Sequence, residues 1–387
     1  MKSKLTTLVA ALVTASGIAT AEPQGVTDNK ILIGSANDLS GPLAIWGVPS
    51  VNGMRMRFEE ANAAGGVHGR EIELLVEDTG YQVPQAVRLT NKLVKRDGIF
   101  AMMMTMGTPQ NLATMAILDE AGIPNLFPLS AAEAMVEPLH PLHFGYFVSN
   151  RDQASGALRY FAANMDVKNV CMQTVASDYG QSVVNGAEAT AEELNLNITF
   201  HGTHKTTETE FAGAATAIKN ADCDMLLLGT TIKDTITLYA TLRKLGFDKP
   251  VVGNMTPYMP LVAEAGNGAT EGLYLVSPFL IADFNDGDAW RRDFFDRYNA
   301  EYGEAPAAQA QIGYNAADIV VKALEAAGPD LTVAKLTAAL EGISGYQDPF
   351  GGPSLSFAAD KHHGSDSLVL VQAKDKKWTH VASDLSY

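Results

Sequence analysis

The chain predicts an α/β fold made of two doubly wound parallel-sheet lobes joined by a hinge that the backbone crosses three times. Three observations carry this. Strand and helix patterns alternate from about residue 30 to 149, and the alternation starts afresh at 150. Repeated βα units of this length give parallel sheets covered by helices on both faces. The last third then breaks the rule, with long helices that have no strand between them. The reading assigns 22–149 plus 282–344 to lobe one and 150–281 plus 345–387 to lobe two. Crossings fall near 149–151, 277–282 and 344–350, and several crossings make a hinge rather than a free linker.

Each element has its own local signal. Lys30–Ala36 is a short apolar strand, followed by the turn-rich loop Asn37–Pro42. A helix is expected from about Pro49, with Val51, Met54, Phe58 and Ala61 at helical spacing, stopped by Gly65-Gly66. Glu71–Glu77 alternates apolar and charged residues as a strand does. Pro84–Arg96 is an amphipathic helix. Pro109–Ala121 is helix, Ile123–Leu129 strand, and Ser130 to Glu133 has capping-box spacing. Phe144–Ser149 reads as a strand leaving the first unit. In the second unit Asn150–Met165 is helix, Asn169–Val175 strand, and Ser177-Asp178-Tyr179-Gly180 opens a helix to Leu194. Strands at Asn197–His201, Asp224–Gly229, Val251–Gly253 and Thr270–Val276 alternate with helices at Glu208–Asn220 and Thr231–Leu245. Asp288–Tyr302, Ala308–Ala327 and Val333–Glu341 are the late helices. Ser365–Val371 and Trp378–Val381 read as a closing antiparallel pair.

Composition narrows the function. Of 387 residues, 47% are hydrophobic and 19% charged, with a net charge of −16. Nucleic acid and anionic membrane surfaces are excluded as partners on electrostatic grounds. Lys2 and Lys4 precede the short apolar run Leu5–Ala15 and an A-x-A site at Ala19–Ala21. That is the pattern of a cleaved signal peptide, 1–21, cut after Ala21. The mature protein is expected to be exported, soluble, periplasmic and monomeric, with no membrane insertion. Cys171 and Cys223 could pair in an oxidising compartment or remain two buried thiols. No CxxC, HExxH or zinc-spaced His/Cys cluster occurs, so neither metal nor cofactor is expected.

The chain is organised around the stretch Met102–Asn111. It reads as a buried strand running into a helix, with Thr108 as N-cap and Pro109 at the first helical position. Such a junction presents free N–H groups and partial positive charge to a carboxylate or other small anion. In open parallel sheets ligands lie beyond the carboxyl ends of strands. The cleft should then be lined by Gly41–Gly47, Thr105–Gln110, Leu129–Ala132, Ala176–Gly180, Thr230–Lys233 and Asn254–Pro260.

Ser40-Gly41-Pro42 after the first strand, Asn62-Ala63-Ala64-Gly65-Gly66-Val67-His68-Gly69 after the first helix, and Asp178-Tyr179-Gly180 opening the second lobe form a distinctive order. With the exported leader, the chain resembles the periplasmic leucine/isoleucine/valine-binding proteins of ABC transporters, the type I periplasmic binding protein family. The resemblance covers essentially the whole mature chain. It implies two lobes that close on a small ligand and a closed form that docks on a permease with its ATPase. It implies that Thr108 is the hydroxyl donor to a ligand carboxylate. Leu129, Ser130 and Ala131 form a second contact segment, Trp46 packs on the ligand, and Tyr179 closes over it.

Two positions depart from the family. The acidic residue that holds an amino-acid ammonium falls here on Met255. The loop where leucine binders often place a Tyr reads Gly229-Thr230-Thr231. An ammonium without a carboxylate partner in a closed cleft costs on the order of several kcal/mol, and neither Asp152 nor Glu133 is placed by sequence to compensate. A small aromatic or aliphatic acid suits Trp46, Met106, Met255 and Tyr258. Amides or urea-like ligands suit Thr230 and Thr231, and Gln110 is a further candidate contact. The alternative is a branched-chain amino acid, or a sensor that presents its closed form to a receptor kinase. An enzyme is disfavoured, because Ser177-Asp178 and His140/His143 are the only candidate catalytic groups. There is no G-x-S-x-G or phosphate loop, and His140, His143, His362 and His363 read as solvated loop residues.

Overall fold

The computed structural model describes residues 23–387, so the leader expected over 1–21 lies outside the described residues. The first unit holds β1 (Lys30–Asn37), α1 (Ala44–Ala63), β2 (Glu71–Asp78), α2 (Val83–Lys92), β3 (Ala101–Met103), α3 (Thr108–Ala121), β4 (Asn125–Leu126) and β5 (His143–Phe144). The second holds α4 (Asn150–Asn164), β6 (Asn169–Val175), α5 (Asp178–Leu194), β7 (Asn197–His204) and α6 (Ala212–Asn220). It continues with β8 (Met225–Gly229), α7 (Ile232–Lys244), β9 (Val251–Gly253), α8 (Pro260–Ala263) and β10 (Tyr274–Ser277). The chain ends with α9 (Ala289–Tyr302), α10 (Ala308–Ala327), α11 (Val333–Glu341), β11 (Val369–Lys374) and β12 (Lys377–Ala382).

Two sheets result. One has five strands in the order β2-β1-β3-β4-β5, and the other seven in the order β12-β11-β10-β9-β8-β6-β7. All pairings in the first are parallel. In the second, β11 pairs antiparallel with both β10 and β12, and the other pairings are parallel. Central strands such as β3 and β8 are buried at every residue, because helices cover both faces. The edge strand β7 buries alternate residues only partly.

Helices α9 to α11 return to lobe one. Helix α10 is buried along most of its length and lies against α1. The two backbones meet where neither carries a side chain. A Cβ on Gly53 would lie 2.0 Å from the Ala310 carbonyl oxygen, and one on Gly313 2.0 Å from that of Ser50. Small residues at both crossing points permit this approach. In lobe two, Cys171 on β6 is bonded to Cys223 before β8, with Cα atoms 5.6 Å apart.

Several expectations are corrected. Helix α1 starts at Ala44 rather than Pro49. Asp38 accepts from the N–H groups of Gly41 and Leu43 and sets the entry turn, so Pro49 falls inside the helix. The strand expected at Phe144–Ser149 is confined to His143–Phe144 and is the edge of the first sheet rather than an exit from it. Helix α6 starts at Ala212, not Glu208. Ser130 and Glu133 form no capping box: a short 3-10 turn, Glu133–Met135, starts after Ala132, and Glu133 faces the other lobe. The assignment of 345–364 to lobe two fails. The Tyr346 hydroxyl donates to Asn315 Oδ1 on α10 (3.3 Å), Phe357 packs against Phe127 and Phe144, and Gly145 bridges His363. This Gly/Pro-rich stretch covers the edge at β5, and the last crossing falls just before β11. Two of the four loop histidines, His143 and His362, are buried rather than solvated.

Candidate functional site

Both lobes reverse strand order at an equivalent place. The break lies between β1 and β3 in the first sheet and between β6 and β8 in the second. Crevices at such switch points are where open α/β sheets bind ligands. The loops leaving those strands face one another across a small cavity of about 50 Å³.

The lobe-one wall comes from β1, β3 and β4. The Asp38-anchored turn presents Leu43 and Trp46. Beyond β3 the chain turns through Met104, at φ 52°, an uncommon conformation for a residue with a side chain. Met106 N–H then donates to the Ala36 carbonyl (3.0 Å) and Gly107 N–H to that of Leu129 (3.1 Å), while Leu129 N–H donates back to Thr105 (3.0 Å). These bonds continue the sheet past its formal ends and bring Thr108 beside Ser130. Their hydroxyl oxygens are 2.7 Å apart. One hydroxyl donates to the other, which leaves a second hydrogen to offer a ligand. Thr108 is not the N-cap. Gly107, at φ 96°, takes that place, and the Thr108 side chain turns to Ser130 instead of the helix backbone. The N–H groups of Thr108, Ser130 and Ala131 find no acceptor among the described residues. Hydroxyls and open amides at a helix start suit a small anion.

The lobe-two wall comes from β6, β8 and β9. Ser177 caps α5 and orients Tyr179, whose phenol reaches the Thr230 carbonyl (3.0 Å) and Asn254 Oδ1 (2.9 Å). The hydroxyl is therefore committed and the ring is what the cavity sees. Burial, above all, pushes the Tyr179 pKa up, so the ring stays neutral. Thr231 closes a capping box with Asp234 at the start of α7. Met255 N–H donates to Gln153 Oε1 (3.0 Å). Asn254 donates to Asn150 Oδ1 (3.1 Å), which leaves the Asn150 amide N–H₂ beside the cavity.

Leu43, Trp46, Tyr81, Met106, Gly107, Thr108, Leu129, Ser130, Ala131, Asn150, Tyr179, Thr231, Met255 and Thr256 line the space, and none of these carries a charge. The structure thus gathers nine expected residues: Trp46, Met106, Thr108, Leu129, Ser130, Ala131, Tyr179, Thr231 and Met255. Three others stay away. Gln110 donates to the Tyr81 carbonyl (2.8 Å), Thr230 pairs its hydroxyl with Thr235 (2.6 Å), and Tyr258 packs 5.4 Å from both Phe279 and Trp378. Tyr81 and Asn150 were not anticipated. Tyr81 lies in the loop beyond the carboxyl end of β2, one strand away from the switch point, so the strand-end rule points to its loop, although that loop is not among those expected to line the cleft. Burial pushes its phenol up to about 12. Asn150 stands at the first lobe crossing, and that position was its one available signal.

The lobes also touch around the cavity. Trp46 Nε1–H donates to the Thr256 carbonyl at 3.1 Å. Glu133 accepts from Ser182 and, at 3.1 Å, from Asn185. Arg151 forks onto Glu137 at 2.7 and 2.9 Å. Neither Glu133 nor Asp152 serves the cavity: the first is held at the rim, and the second receives the Ser149 hydroxyl at 2.7 Å.

Two lobes of matching strand order, closed over a polar-ended cavity, define a hinged binding protein. The chain belongs to the periplasmic binding protein family, whose model matches residues 30–377. A curated relative, Leu/Ile/Val-binding protein homolog 7 of Brucella suis, is 24% identical over 372 residues and covers 92% of each chain. A branched-chain amino acid ABC transporter protein from Thermus thermophilus, solved with bound valine, has a TM-score of 0.84 at 19% identity, covering 93% of this chain and 97% of its own. A fatty acid ABC transporter substrate-binding protein from Thermomonospora curvata has a TM-score of 0.83 at 23% identity, covering 95% and 94%. Members of the family are binding proteins of transporters, not enzymes. No helix among the described residues is long and apolar enough to cross a membrane.

Proposed function

We propose that this chain is the periplasmic substrate-binding protein of an ABC importer and that its ligand is a small organic acid with an apolar body and no amino group. The observation that carries the reading is the cavity lining. The Thr108–Ser130 hydroxyl pair and open amides stand at one end, Trp46, Met106, Met255 and the Tyr179 ring stand around it, and no carboxylate is among the lining residues. The acid end meets dipoles that favour negative charge. An ammonium would meet none of the charge it needs. Ligand enters between separated lobes, of which 22–149 and 150–281 are the principal parts. Closure makes contacts that exist only in the closed form. The closed monomer then docks on its permease and ATPase complex.

A branched-chain amino acid is the second reading, supported by what the Brucella and Thermus proteins are named for. A thermal-shift screen on protein unfolded and refolded to remove carried ligand separates the two. Aromatic and aliphatic acids are expected to raise the midpoint while leucine and valine leave it unchanged. A shift with leucine or valine alone overturns the acid reading.

A further inference from the structure

We propose that Asp119, His140 and His143 form a binding site for one divalent transition-metal ion of the zinc class, on lobe one and away from the cleft. The three residues come from two elements. Asp119 lies in the last turn of α3, and His140 and His143 frame the loop that enters β5. One donor atom from each lies within 4.8 Å of the others, a grouping that the His-Pro-Leu-His spacing alone did not reveal.

The three donor atoms lie close to tetrahedral ligand spacing. Asp119 Oδ1 is 2.7 Å from His143 Nε2 and 3.8 Å from His140 Nδ1. Ligands about 2.1 Å from a tetrahedral zinc stand roughly 3.4 Å apart, so one distance opens and the other closes by a fraction of an ångström. His140 Nδ1 now accepts only a long bond, 3.3 Å, from Leu142 N–H. The side chains of His140 and Asp119 are 37% and 33% exposed, which gives them room to adjust and leaves the remaining coordination positions to water.

The loop is held in place by a residue outside the site. Buried His362 donates from Nδ1 to the carbonyls of both His140 (3.0 Å) and His143 (2.9 Å), and its ring stacks on Phe144 at 4.0 Å. That anchor fixes the two ligand-bearing residues without using their rings. It sets the backbone from which both imidazoles project toward Asp119. The donor set selects the ion. Two imidazoles and one carboxylate suit zinc, copper or nickel, whereas calcium and magnesium prefer oxygen throughout.

The test uses the mature protein, stripped with a chelator, and Zn²⁺ as the only added ligand. Calorimetry is expected to find one ion per chain, and saturating Zn²⁺ to raise the unfolding midpoint by about 2 °C or more. His140→Ala and Asp119→Asn should each weaken Zn²⁺ binding at least about tenfold and lose the midpoint shift. Asp119→Asn keeps an oxygen for His143, and half-exposed His140 is not needed for the core, so both variants test binding rather than folding. His380→Ala, on the distant strand β12, should bind as the parent does. Absence of a shift in the parent overturns the site. So does a shift retained in both variants, or an equal shift with Mg²⁺. Titration of the cleft with an organic acid is independent of all three residues, so failure here leaves the cleft reading standing.

Discussion

The indole N–H of Trp46 donates to the main-chain carbonyl of Thr256 at 3.1 Å, and the two residues belong to different lobes. Trp46 is carried on the first turn of α1, and Thr256 follows β9. The bond cannot survive separation of the lobes, so it belongs to the closed form. It also holds the indole as a wall of the cavity, edge-on to Phe279 at 6.4 Å.

Trp46→Phe keeps an aromatic wall and removes the donor. A neutral hydrogen bond contributes about 0.5–1.5 kcal/mol, so ligand affinity should fall roughly two- to tenfold. Isothermal calorimetry with the acid found in the screen measures this. An unchanged Kd would mean that closure does not use the bond.

The Thr108–Ser130 pair should act as a unit. Thr108→Val and Ser130→Ala should each weaken acid binding by about 1.5–3 kcal/mol, because each removes part of a hydroxyl chain that ends on a charged group. The double variant should lose less than the sum, since either change alone breaks the relay. Simple additivity in a calorimetric double-mutant cycle would show that the hydroxyls act separately.

Asp234 sets a pH dependence on lobe two. Burial pushes its carboxyl up, but hydrogen bonds from His204 and Thr231 outweigh this and hold it below its ordinary value of 3.8. A carboxyl depressed in the folded state is ionised there while the unfolded chain takes up protons. Its contribution to stability is therefore present above the ordinary value and is lost as pH falls through the folded-state value. Urea melts between about pH 5 and pH 3 should show the parent losing more stability than Asp234→Asn. Parallel curves would remove Asp234 as the cause.

The Cys171–Cys223 bond closes a separation of 52 residues. Constraint of the unfolded chain over that length corresponds to about 4 kcal/mol, with measured values commonly 2–4 kcal/mol. A Cys171→Ala/Cys223→Ala variant should unfold at correspondingly lower urea. Dithiothreitol should lower the parent's midpoint and leave the variant's alone.

The elements were legible because local apolar runs, caps and turn residues bound each of them. Asn169–Val175, Ala308–Ala327 and Val333–Glu341 appear with the bounds their patterns indicate. Errors arose where a local rule met a competing partner. Pro49 suggested a helix start, but Asp38 had already set the turn. Thr108 suggested a cap, but Ser130 offered a closer oxygen. Ser130 and Glu133 had the spacing of a capping box, but Ser182 and Asn185 draw Glu133 across the cleft.

By itself, the sequence determined the βα alternation, its restart at 150, the late helices, and the strand-end loops from which most of the cavity is built. Those features depend on periodicity and turn chemistry within a few residues of chain. Only the tertiary structure decided which groups meet: Thr108 with Ser130, Trp46 with the Thr256 carbonyl, Tyr81 and Asn150 at the cavity, and Asp119 with His140 and His143. Such meetings depend on strand register and on how far the lobes have closed. Neither is encoded in the spacing of residues along one element, because a contact between distant segments is settled by the packing of everything between them.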